Sequence, residues 1–149
     1  IEGVLIIPKN QQSLPNKQLL TISSYFKPNI NTVKLKKIYH LARIHEIVDI
    51  RTTTEDDFIK VFLSSNPLLI ENKIILKANN RKSIYFGLCM SKYFENLKPS
   101  TIARSESFYS KSTPNKSSIP LSEATINNAL SFLNKFSDIE ESFNNLEKQ

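Results

Sequence analysis

The sequence predicts a mainly β fold with added helix: an antiparallel β-barrel or sandwich capped by an α-helix, with an extra amphipathic helix behind it. Three observations point there. Residues 1–80 break into short runs rich in Ile, Val, Leu, Tyr and Phe, separated by Pro, Asn and Thr clusters, as strands and turns do. Residues 83–97 switch to helical spacing and are followed by Pro99. Residues 126–146 carry a second apolar stripe at that spacing, beyond a Pro- and Ser-rich stretch.

Residues 3–8 (GVLIIP) read as a first strand stopped by Pro8, 9–17 (KNQQSLPNK) as a loop, and 18–26 (QLLTISSYF) as a second strand closed by Lys27-Pro28-Asn29. Residues 32–51 fit both periods. Alternation at Val33, Leu35 and Lys37, then at Tyr39 and Leu41, suits strands, whereas a helix would align Ile38, Leu41, Ile44, His45 and Val48. Ile and Val dominate and no capping residue is evident, so two short strands kinked near Ala42-Arg43 are expected. Residues 52–57 (TTTEDD) read as a polar turn and 58–64 (FIKVFLS) as a strand. Residues 68–70 and 73–78 form a short strand pair.

Asn79-Asn80 then offers a cap to a helix over 83–97, with Phe86, Met90, Tyr93 and Leu97 on one stripe widened by Ile84, Leu88 and Phe94. Residues 99–120, with Pro99, Pro114 and Pro120 among Ser, Thr and Lys, read as a linker. Ser122 can cap a last helix running to about Glu147. The expected organisation is a domain over 1–98, a linker over 99–120 and an amphipathic helix within 121–149.

Composition narrows function. A chain of 149 residues is one domain's length. Its only cysteine, Cys89, excludes a disulfide framework and a Cys-rich zinc site, and favours a reducing compartment. With two glycines, Gly3 and Gly87, the chain has neither a dinucleotide fingerprint nor a P-loop. A start at Ile1 without Met suggests a fragment or processed chain. No apolar run approaches the roughly 18 residues that span a bilayer. The expectation is therefore a non-enzymatic cytoplasmic protein without cofactor or metal, with peripheral membrane association as an option.

The net charge of +6 is uneven: residues 1–120 hold 18 Lys/Arg against 9 Asp/Glu, and residues 121–149 hold 2 against 5. A basic body suits an anionic partner, and an acidic tail can dock on that body.

The opening Ile1-Glu2-Gly3-Val4-Leu5 resembles the first strand of pleckstrin homology domains, usually Glu-Gly-apolar-Leu. Ile74-Ile75-Leu76-Lys77-Ala78-Asn79-Asn80 is similar to that family's last strand and helix entry, with Phe86, eight residues past Ala78, standing where the family's helix has Trp. Residues 39–51 and 58–64 look like the intervening strands, so the resemblance covers about residues 1–98. It implies a barrel whose first loop lies near the next strand pair, placing Lys9, Lys17, Lys34, Lys36 and Lys37 around one mouth. Lys9 and Lys17, with no Arg, flank the first loop where lipid-binding members carry a Lys/Arg pattern. The resemblance implies docking of proteins as readily as of lipid.

Two sites follow. The five lysines would attract an anionic surface such as phospholipid by about 1 kcal/mol each. The stripe residues Ile126, Leu130, Leu133, Phe136 and Phe143 would meet a protein partner, unless the helix folds back on the body. The functional expectation is an adaptor or scaffold module that binds a protein partner, with an anionic phospholipid surface as a second contact. The rival is single-stranded nucleic acid stacked on Tyr25, Phe26, Tyr39 and Phe58, although four Arg and no RNP-like motif favour it less. His40 and His45 as metal ligands, the Glu55-Asp56-Asp57 carboxylates as acid–base pair, and Cys89 with a histidine as nucleophile each lack a matching partner set.

Overall fold

The computed structural model describes residues 24–110 and 120–148. Residues 32–51 hold not strands but the helix α1, Thr32–Ile44. Asn31 caps it, its side chain accepting the Lys34 N–H at 2.8 Å, so the capping residue overlooked in the sequence is present. The buried stripe is Leu35, Ile38, Tyr39 and Ala42, a full i, i+3, i+4, i+7 set, while Ile44 is 67% exposed. The helix ends in a Schellman motif. The Glu46 N–H reaches the Arg43 carbonyl and Ile47 that of Ala42, with Glu46 left-handed at φ 57°.

The strand expected over 58–64 is likewise helical as far as Leu63, within α2 (Glu55–Leu63), and Ser64 is its extended C-cap. Thr54 and Asp57 form a capping box across the supposed polar turn, and Glu55, Asp56 and Asp57 complement the helix dipole. Phe58, Val61 and Phe62 turn inward. Pro67–Leu69 is a single 3-10 turn rather than a strand.

The sheet among the described residues has two strands, β1 (Ile74–Leu76) and β2 (Phe108–Ser110), and they run parallel, with Ile74 opposite Phe108 and Leu76 opposite Ser110. A parallel pair needs a long crossover. Here it is α3 (Asn80–Ser91), capped by Asn79, and α4 (Pro99–Ser105). Pro99 therefore opens a helix at its first position, where its missing N–H costs nothing, instead of closing one. Single antiparallel bridges extend the sheet, Val48 to Leu76 and Tyr109 to Pro120.

The expected barrel is thus overturned, and the pleckstrin-homology-like architecture with it: the described residues form six helices and a two-stranded parallel sheet. The 99–120 stretch is not a plain linker, since it holds α4 and β2. The last helix is two, α5 (Glu123–Ser131, capped by Ser122) and α6 (Ser137–Glu147), broken at 132–136. The first-strand reading over 3–8 lies outside the described residues, as does most of the second; Ser24, Tyr25 and Phe26 are not in a strand.

One core holds the layers together. Phe62 sits among Phe58, Phe94, Phe26 and Phe108, with ring centroids 4.8, 5.2, 5.6 and 5.7 Å away. Residues 24–29 run through this cluster, tied by Tyr25 N–H to the Ser64 carbonyl and Asn29 N–H to that of Tyr93, both 2.8 Å. Among the described residues no helix is long and apolar enough to cross a membrane.

Candidate functional site

Three of the five predicted lysines, Lys34, Lys36 and Lys37, lie on α1; Lys9 and Lys17 lie outside the described residues. The helix carries these three and Arg43, and no acid along its thirteen residues. Burying Leu35, Ile38, Tyr39 and Ala42 turns the other side of the helix to solvent. That face presents Lys36, Lys37, His40 and Arg43, with Val33 and Ile44 exposed at its two ends. His40 Nε2 is 3.8 Å from the Glu55 carboxylate; Lys36 and Arg43 have no carboxylate within 4 Å among the described residues.

Lys34 points the other way, toward α6. Its Nζ lies 3.5 Å from the Glu147 carboxylate and 5.1 Å over the Tyr93 ring. The Tyr93 hydroxyl donates to the same carboxylate. Burial and the Glu147 charge push the Tyr93 phenol well up, while the Tyr93 hydrogen bond and the nearby Lys34 hold Glu147 below its ordinary value. At the far end of α1, His45 Nε2 is 2.8 Å from Ser142 Oγ and Nδ1 is 3.6 Å from Asp138.

Ser142, His45 and Asp138 stand in the order of an acyl-transfer triad, but the geometry is that of a clamp. At 3.6 Å the Asp138 contact is too long for a hydrogen bond, and the carboxylate is 72% exposed. Ser142 lies inside α6, where helix bonds already engage the backbone N–H groups that an oxyanion would need. Cys89 is half-buried, and burial raises its thiol pKa, which keeps it protonated. Among the described residues no group of three or more His, Cys, Asp or Glu is placed to hold a metal ion.

The predicted partner stripe turns inward. Ile126 and Phe143 are 2% exposed, and Leu130, Leu133 and Phe136 are partly buried against the core. Phe143 packs edge-on to Phe86 at 5.0 Å and Phe136 to Tyr85 at 5.6 Å. Of the rings expected to stack on nucleic acid, Phe26, Tyr39 and Phe58 are core residues and Tyr25 is partly covered.

Sequence reasoning missed Arg43 and His40 as members of the lysine face, because the strand reading scattered them over two sides. The signal was present: an acid-free run of 13 residues behind an Asn. No protein-family model matches the chain, and no curated protein or solved structure matches it either.

Proposed function

We propose that the protein is a non-enzymatic adaptor or scaffold module whose exposed α1 face docks an acidic segment of a protein partner. One observation carries the reading: α1 bears cations without acids, and its inner flank is already occupied by an acidic helix of the same chain. The Lys34–Glu147 pair and the His45–Asp138 contact are the kind of contact that the outer face offers to a partner. Val33 and Ile44, 63% and 67% exposed, favour a protein over a bare polyanion, since they offer apolar anchors at both ends of the charged row.

The test is titration of a fluorescent acidic amphipathic helical peptide, run beside phosphatidylserine vesicles and a single-stranded oligonucleotide. The peptide is expected to bind most tightly, and Lys36→Glu with Arg43→Glu to weaken it about tenfold or more, equivalent to about 1.4 kcal/mol. Tighter binding to vesicles or oligonucleotide, or indifference to the double charge reversal, would overturn the reading.

A further inference from the structure

Gly87 lies inside α3. Glycine weakens a helix interior relative to alanine, and two common reasons for tolerating it are absent. No described glycine has positive φ, and a Cβ built on Gly87 meets nothing within 4 Å. The missing side chain therefore accommodates no neighbour in the fold; it leaves space.

That space has two sides. Outside, an apolar groove of about 270 Å³ passes along α3, α4 and α5, lined by Ile84, Gly87, Leu88, Leu97, Ile102 and Leu130. Inside is a core cavity of about 60 Å³ in which Ser83 is the one polar lining residue. Ile84, Gly87, Leu97 and Ile102 line both, so the floor of the groove is the wall of the cavity. Apolar cavities of this kind stay dry and accept apolar guests. Leu88, on the groove, is 50% exposed in a molecule that buries most of its large apolar side chains. The groove's single charged lining residue is Lys98, an exposed cation at the start of α4.

The geometry points to a binding site for a single-chain anionic amphiphile, a long-chain carboxylate. Its hydrocarbon lies in the groove with the end against Gly87, and its head pairs with the Lys98 ammonium. The cation selects the anionic head, and the narrow apolar floor selects one chain rather than a bulky ring system. The site is separate from the α1 face and does not depend on its function.

The probe is parinaric acid, a single-chain polyene carboxylate without rings, titrated below its micellar concentration and followed by fluorescence. Wild-type protein is expected to bind it saturably. Gly87→Leu should weaken binding about tenfold or more, the equivalent of roughly two buried CH₂ groups. Leu88→Glu, on an exposed position that spares the core, should do the same with an unchanged circular dichroism spectrum. Lys98→Ala should weaken the carboxylate several-fold, but not competition by the alcohol of the same chain length. Absence of saturable binding by wild type overturns the proposal, as does equal binding by both groove variants. So does a probe-inert wild-type dimer that Leu88→Glu dissociates, which would assign the groove to a second copy.

Discussion

α1 and α3 have nearly the same length, thirteen and twelve residues, and address solvent in opposite ways. α1 buries four residues and projects a row of cations outward. α3 buries Ser83, Ile84, Tyr85, Phe86 and Met90 and leaves a gap at Gly87 beside them. The first face acts by charge, which reaches about 8 Å at physiological salt and needs little shape. The second acts by shape, since apolar contact is lost as soon as the surfaces part. Added salt therefore separates them: binding at α1 should fall with ionic strength, whereas the apolar part of binding at the groove should persist.

The largest expected effect breaks both faces together. Phe62 is the hub of the aromatic cluster and lines the cavity under α3, while its neighbour Phe58 packs on Tyr39 of α1. Phe62→Ala should cost about 3–5 kcal/mol in chemical denaturation, a large share of the stability of a small domain. A loss below about 1 kcal/mol would mean that the two helices are held by something other than this cluster.

A smaller change sharpens the contrast. Gly87→Ala should raise stability by about 0.5–1 kcal/mol, read as a higher thermal midpoint, because helix propensity improves and no atom is displaced. The same substitution narrows the groove and leaves the α1 face untouched. A lower midpoint would show that the glycine serves packing.

The smallest effect concerns the flank of α1. Glu147 is held below its ordinary pKa by the Tyr93 hydrogen bond and by Lys34. Its contribution to folding is therefore complete above the unfolded value, about 4.3, and is lost as pH falls through the lower folded one. Unfolding free energy measured across that acid range should fall more in wild type than in Glu147→Gln. Parallel curves would show that this tie between α6 and α1 contributes nothing.

Much of the framework was legible in local signals. Asn79 and Ser122 stand out as caps, and the stripe through Phe86 and Met90 is helical as its spacing predicts, but α3 ends at Ser91, so Tyr93 and Leu97 of the helix expected over 83–97 lie beyond it. The charge split was also plain. Two runs read as strands, 32–51 and 58–64, proved helical for one reason: short runs rich in Ile, Val, Leu and Phe satisfy a two-residue period as well as a helical one, and nothing within so short a window separates them. Asn31 and the Thr54–Asp57 box could have decided both, had Asn31 been weighed as a cap and residues 54–57 as a capping box rather than a polar turn.

The chain alone thus determined where helices can begin, which spans are apolar and where positive charge accumulates, since these depend on side chains a few residues apart. Only the tertiary structure decided that Leu35 rather than Ile44 faces the core, that Phe108 pairs beside Ile74, and that Gly87 opens onto empty space. Those outcomes depend on partners tens of residues away, and burial against them outweighs the small local preferences that separate helix from strand.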